Sequence, residues 1–180
     1  MTTITISGTP GSGKSTIAKI LQKKLNMPYV YSGMLFRNLA ETHNMSLSEF
    51  SKYCEQNEQI DRELDDKQVE ILKSGNVILE GRLSGWLAYK NKINAIKIMI
   101  NADENIRASR IVNREGGSIE QRKQEMKHRE KSEQKRYLSS YKIDLLDTSI
   151  YDLIIDSSEK TPDEIVIMIL AFLNKGFLDN

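Results

Sequence analysis

Short apolar or β-branched runs recur along the chain, each followed by a longer segment whose apolar residues repeat at helical spacing. Thr3-Ile4-Thr5-Ile6-Ser7 is the first run, and from Ser15 onward Ile17, Ile20 and Leu21 fall on one helical face. Asn26-Met27-Pro28 ends that helix, and Tyr29-Val30-Tyr31 predicts a second, short strand. After a turn at Gly75-Asn76, Val77-Ile78-Leu79 is apolar without alternation, as in a strand covered on both faces of a parallel sheet. Ala95 to Ile100 and Tyr151 to Ile155 predict the fourth and fifth strands. Five strands alternating with helices predict a three-layer α/β fold around a parallel sheet.

Helix boundaries are also written in the pattern. Ser32 is placed to cap a helix over Met34 to Ala40. Residues 46–74 are polar and mostly helical, with a capping box over Ser46-Leu47-Ser48-Glu49 and Asp61 as a second cap. Leu64, Val69, Ile71 and Leu72 give this stretch only a patchy stripe, so it covers something rather than forming its own core. Asn101 or Asp103 starts a helix carrying Arg107, Arg110 and Arg114, the last two one turn apart. Thr161, Pro162 and Glu164 form a box that opens the last helix, with Ile165, Ile169, Leu170 and Leu173 facing the sheet.

Composition narrows the classes. With 180 residues and no internal repeat, low-complexity tract or linker, one domain is expected. Lys and Arg number 26 against 25 Asp and Glu, so net charge gives no reason to expect nucleic acid or a membrane as partner. Cys54 is the only cysteine and His43 and His128 the only histidines, which excludes an intrachain disulfide and a Cys/His metal cluster. No basic-then-apolar leader and no long apolar run occur, and a cytoplasmic protein is expected, a monomer rather than an oligomer.

The chemistry starts at Gly8-Thr9-Pro10-Gly11-Ser12-Gly13-Lys14-Ser15, which fits the phosphate-binding pattern G-x-x-x-x-G-K-[ST] between a predicted strand and helix. Glycine at 8, 11 and 13 lets backbone N–H groups approach phosphate oxygens and allows the dihedrals the turn needs. Lys14 can bridge β- and γ-phosphates, the Ser15 hydroxyl can ligate Mg²⁺, and the helix N-terminus adds its dipole. A plain Gly-rich turn would explain neither Lys14 nor Ser15.

Ligands bind outside the carboxyl ends of strands in such sheets, which puts Glu80 and Arg82 near this loop if their strand neighbours the first. Glu80 could equally be a structural buried acid. Arg37 lies one turn past Gly33 and could reach an anion there, or could be a solvated surface residue. Beyond Gly116-Gly117, a hinge, Ser118 to Tyr137 is highly charged. That stretch reads either as a solvated helix laced with i,i+4 pairs or as a mobile cover bringing arginines over phosphates.

Taken together, the P-loop with its proline, Tyr31-Ser32-Gly33 through Phe36-Arg37, Gln59 to Asp65, Leu79-Glu80-Gly81-Arg82 through Trp86, and Ser149 to Leu153 resemble the P-loop nucleoside monophosphate kinases, archaeal-type cytidylate kinases above all. Lys14 stands where archaeal-type members often carry threonine. The resemblance implies a sheet ordered 2-3-1-4-5, a core of residues 1–31, 75–114 and 138–180, an acceptor-binding region over 32–74 and a lid over 115–137. It implies ATP as donor, Mg²⁺ as cofactor and CMP or dCMP as acceptor. The ATP site would comprise Gly8, Thr9, Pro10, Gly11, Ser12, Gly13, Lys14, Ser15 and Thr16 with Arg110 and Arg114. Arg110 would lie on adenine, and the Ser157-Ser158-Glu159 loop would contact that base through its backbone. Ser32, Gly33, Arg37, Asp61, Arg62, Gly81 and Arg82 would bind the acceptor, Asp61 reading the base. Lys14, Arg82, Arg129 and Arg136 would be catalytic, and Ser15 and Glu80 would hold the metal. A kinase for AMP, UMP or shikimate, or a nucleotide-dependent switch, are the alternatives.

Overall fold

A computed structural model describes residues 2–45, 49–50, 53–54 and 57–178. Five strands, β1 (Ile4–Gly8), β2 (Tyr29–Tyr31), β3 (Ile78–Glu80), β4 (Ile96–Asn101) and β5 (Leu153–Asp156), pair in parallel in the order β2-β3-β1-β4-β5. The helices with described bounds are α1 (Lys14–Leu25), α2 (Ser32–Thr42), α3 (Glu58–Ser74), α4 (Ser84–Lys90), α5 (Glu104–Glu115), α6 (Ile119–Tyr141) and α7 (Pro162–Leu178). Strand boundaries lie within two residues of the sequence pattern, β5 being shifted furthest.

All five residues of β1 are buried, and its two faces meet different layers. Ile4 and Ile6 join Ile17 and Leu21 of α1 and Ile165, Val166, Ile169 and Leu173 of α7 in one core. On the opposite face Ser7 Oγ lies 3.1 Å from Ser84 Oγ and accepts a hydrogen bond from the Gly85 N–H at 3.1 Å, so the start of α4 meets β1 through polar pairing. The second core, built on Leu79, Val69, Leu72, Trp86 and Leu87, is the surface that the patchy stripe of α3 covers. A buried Ile or Leu contributes roughly 1.5–3 kcal/mol by leaving water, enough to fix α3 to β3 with two such residues.

Two caps differ from expectation. Ser32 is the first residue of α2 and makes no capping bond, the cap position falling to Tyr31, because the chain turns into the helix directly from β2. Asp61 lies inside α3, which begins at Glu58 after Asn57. Of the box expected over Ser46-Leu47-Ser48-Glu49, residues 46–48 lie outside the described ones. Asp103 caps α5 by accepting from the Asn105 N–H at 2.7 Å, and the reciprocal box is present: Thr161 N–H donates to Glu164 Oε2 at 2.7 Å, and Glu164 N–H to Thr161 Oγ1 at 3.3 Å.

Candidate active site

The strand register sets the site. Ile6 and Tyr31 are both level with Glu80, so the carboxyl ends of β1, β2 and β3 converge where the P-loop leaves β1 and α1 begins. Of the loop's glycines, two are needed by the protein itself rather than by phosphate. A Cβ on Gly8 would stand 2.0 Å from the Ile100 carbonyl oxygen of β4, and one on Gly11 would stand 2.7 Å from the Arg107 carbonyl oxygen of α5. A Cβ on Gly13 would meet only ordinary contacts, Arg110 Nη1 and Ile17 Cδ1 at 3.9 Å, but its φ is +91°, which L side chains rarely adopt.

Lys14 Nζ donates to the Thr9 carbonyl at 2.8 Å, pinning the loop closed on itself. Burial, then the neighbouring Arg82 charge, brings its pKa down to about 7. A bound phosphate would oppose this shift by placing negative charge beside the ammonium. The Ser15 hydroxyl donates to Glu80 Oε1 at 2.8 Å, and the Tyr29 hydroxyl donates to Glu80 Oε2 at 2.5 Å, so both oxygens of this buried acid are oriented. Burial, followed by the hydrogen bond to Glu80, raises the Tyr29 pKa, leaving Tyr29 a donor. A hydroxyl and a carboxylate are hard oxygen ligands of the kind Mg²⁺ takes alongside phosphates and water, so the donor set fits that ion. Among the described residues no cluster of three or more His, Cys, Asp or Glu could hold a metal without such help.

A cavity of about 380 Å³ holds the P-loop residues Pro10 to Thr16 with Glu80, Gly81, Arg110, Arg114 and Ser157. Gly8 and Thr9 do not line it. Arg110 reaches across to Ser157, donating to Oγ at 3.0 Å and to the carbonyl at 2.7 Å, while Ser157 Oγ donates to the Ser12 carbonyl at 2.9 Å. That chain of bonds ties the loop after β5 to the P-loop. Arg114 is exposed and paired with Glu115 at 2.5 Å.

A second cavity of about 460 Å³ is lined by Arg37, Arg82, Arg129 and Arg136, and it shares Tyr31, Ser32, Gly33, Arg82 and Arg129 with the first. Four arginines from α2, the β3–α4 turn and α6 thus meet one space. Within it Glu133 is buried between two of them: Arg82 Nε donates to its Oε2 at 2.5 Å and Arg129 Nε to its Oε1 at 2.9 Å. Burial alone would push the Glu133 carboxyl up, but Arg82 and Arg129 outweigh it and hold it below the usual carboxylate range. Arg82 also donates to the Gly8 carbonyl at 2.9 Å, which links the acceptor side to the base of the P-loop. Tyr137 lines the same cavity with its pKa pushed up to about 12 by burial and then by Glu133.

Arg62 is exposed and lines neither cavity, and the side chain of Asp61 lies outside the described ones. The sequence pattern gave no site role to Tyr29, Asp65, Gln68, Arg107 or Glu133. Arg107 is buried, donates to the Ala102 carbonyl at 3.1 Å and the Pro10 carbonyl at 3.2 Å, and pairs with Glu130 of α6, so it joins the P-loop to the helix beyond the Gly116-Gly117 turn. The i,i+4 spacing of Arg129 and Glu133 was a signal, but the same spacing marks solvated pairs. Tyr29 gave none, because only the β2–β3 pairing brings it to Glu80. Gly116 and Gly117 have φ of +75° and +92°, the dihedrals of a turn that other residues resist.

A P-loop at the carboxyl edge of a 2-3-1-4-5 parallel sheet, opening beside an arginine-lined cavity, defines a P-loop kinase. The sequence profile of the cytidylate kinase-like family matches residues 3–159, and the chain belongs to that family. It is 49% identical over 157 residues to a cytidylate kinase of Methanocaldococcus jannaschii, covering 87% of this chain and 88% of that protein. It is 42% identical over 171 residues to a cytidylate kinase of Pyrococcus horikoshii, covering 95% and 88%. Among solved structures, an uncharacterized protein of Eubacterium ventriosum shares the fold at a TM-score of 0.72 and 19% identity, covering 97% and 99% of the two chains. Shikimate kinase of Bacteroides thetaiotaomicron does so at 0.63 and 15%, covering 96% and 98%.

Proposed function

We propose that this chain transfers the γ-phosphoryl group of ATP to CMP or dCMP, giving ADP and CDP or dCDP. The observation that carries this reading is the pair of joined cavities meeting at Arg82 and Arg129, one floored by the P-loop and one rich in arginine, in a chain whose relatives are cytidylate kinases. Two phosphate-bearing ligands need cations on both sides and at the junction. ATP phosphates would lie along the P-loop, with Lys14 turning from Thr9 to them, and the acceptor phosphate would lie among Arg37, Arg82 and Arg136.

Ser15 and Glu80 would hold Mg²⁺, which when bound neutralises charge on the donor phosphates. No residue need act as general base, because a monophosphate with a second pKa near ~6 already presents an ionised oxygen. The protein's work is positioning, charge stabilisation and exclusion of water. Residues 115–137 would act as a lid hinged at Gly116-Gly117 that closes Arg129 and Arg136 over the transferred group, with residues 32–74 as the acceptor region. Closure after acceptor binding would prevent transfer to water.

ADP release measured across CMP, dCMP, UMP, AMP and GMP tests the proposal. CMP and dCMP should give the highest kcat/KM. AMP as the best acceptor would overturn the cytidylate assignment while keeping the kinase, and slow hydrolysis indifferent to every monophosphate would replace the kinase with a switch.

A further inference from the structure

One wall of the acceptor cavity carries chemistry that phosphate handling does not use. Asp65 and Gln68, three residues apart on α3, are both buried and both line this cavity beside Phe36 and Tyr31. Gln68 Nε2 donates to Asp65 Oδ1 at 2.9 Å and to the Leu64 carbonyl at 3.5 Å. This fixes the amide's orientation, since turning it over would set its oxygen against a carboxylate oxygen. Gln68 Oε1 is buried and accepts no hydrogen bond from the described residues. It lies at the turn that carries the acceptor-side arginine: a Cβ built on Gly81 would stand 3.3 Å from it. An unpaired buried acceptor keeps its desolvation cost uncompensated until a bound molecule supplies the donor.

We propose that Asp65 and Gln68 together read the exocyclic amine of the acceptor base. The inference rests on the (d)CMP kinase reading above and supplies its specificity. An amine offers two N–H donors, and this wall presents a carboxylate held in place by an amide whose own oxygen lacks a partner. Cytosine places an amine at the position where uracil places a carbonyl oxygen, whose lone pairs would face both acceptors. A buried polar pair left unsatisfied in this way is what lets a site refuse a near-isosteric base. Adenine also carries an amine, so the pair distinguishes amino from keto bases and leaves ring size to the rest of the cavity. The base-reading role expected at Asp61 thereby moves one helical turn along α3.

Steady-state kinetics with CMP and UMP on the full-length wild type, Asp65→Asn and Gln68→Met test this. Asparagine can present an N–H to a carbonyl, so Asp65→Asn should raise kcat/KM for UMP, lower it for CMP and reduce the CMP/UMP ratio by ~10-fold or more. Gln68→Met keeps the side chain's length, removes both amide functions, and should lower the ratio by a smaller factor, KM for ATP being unchanged in both. Loss of CMP and UMP activity by the same factor in both variants would overturn the proposal and leave the pair a packing feature. If Asp65→Asn shows no folded circular dichroism spectrum, the ratio in Gln68→Met decides by the same criterion. A wild type that phosphorylates UMP better than CMP would overturn the parent reading and this inference together; a wild type that prefers CMP with unchanged ratios in the variants overturns this inference alone.

Discussion

The P-loop cavity is shaped by backbone, whereas the arginine cavity beside it is shaped by side-chain charges that hold one another. In the first, Gly8 lies against β4, Gly11 lies against α5, and Lys14 closes the loop onto Thr9, so the phosphate cradle is formed before any phosphate arrives. In the second, Glu133 occupies both Arg82 and Arg129. Backbone packing gives a fixed shape with few alternatives, while ion pairs can exchange one anion for another at little net cost in free energy. The difference suits the proposed kinase site, whose donor half would be ready and whose acceptor half would change partners on closure.

The largest test of this contrast is Lys14→Ala, which should leave the circular dichroism spectrum intact but lower kcat/KM for phosphoryl transfer by at least ~10²-fold, the scale for losing one preorganised donor. Near-normal turnover would remove Lys14 from the chemistry. Gly11→Ala should cost roughly 1–3 kcal/mol of stability in urea unfolding, since it forces a side chain onto a positive φ and against Arg107. A variant as stable as the wild type would mean that the loop is not braced by α5. On the other side, Arg129→Ala and Arg136→Ala should each reduce kcat by ~10-fold with little change in ATP binding, because their proposed contribution belongs to the closed state. Unchanged kcat in both would return α6 to a solvated helix.

Two pH experiments sharpen the comparison further. Glu133 has its pKa lowered in the folded chain, so the stability it contributes is present above the unfolded carboxyl pKa and is lost as pH falls through the folded value. Urea unfolding of Glu133→Gln should therefore show a weaker loss of stability in acid than the wild type, and parallel curves would contradict the Arg82-Glu133-Arg129 bridge. Lys14 runs the other way. With a folded pKa of about 7, it binds fewer protons folded than unfolded between there and its ordinary value of 10.5, so its share of stability rises with pH across that window. Phosphates favour the charged form, and ATP binding above neutrality should take up a proton, detected by calorimetry in buffers of different ionisation enthalpy. The uptake should vanish in Lys14→Met.

The strands, the parallel sheet and the P-loop were legible in the chain because each is a local pattern: an apolar run, a helical repeat, or a loop motif between the two. The Thr161-Pro162-Glu164 box was legible for the same reason, and Ser32 was misread as a cap because β2 turns into α2 without a loop. Tyr29, Gln68, Arg107 and Glu133 were not legible. Each acts on a residue from another element: Tyr29 on Glu80 across 51 positions, Arg107 on Pro10 across 97, and Glu133 on Arg82 across 51. Gln68 bonds to Asp65 only three residues away, yet that pair lines a cavity only because α3 packs on β3 and α4. The sequence by itself therefore determined where phosphate chemistry begins and which fold carries it. The tertiary structure alone decided which of many charged residues face the two cavities and which partner each holds, because burial and hydrogen-bond distance are set by packing between elements, and spacing along one element does not encode them.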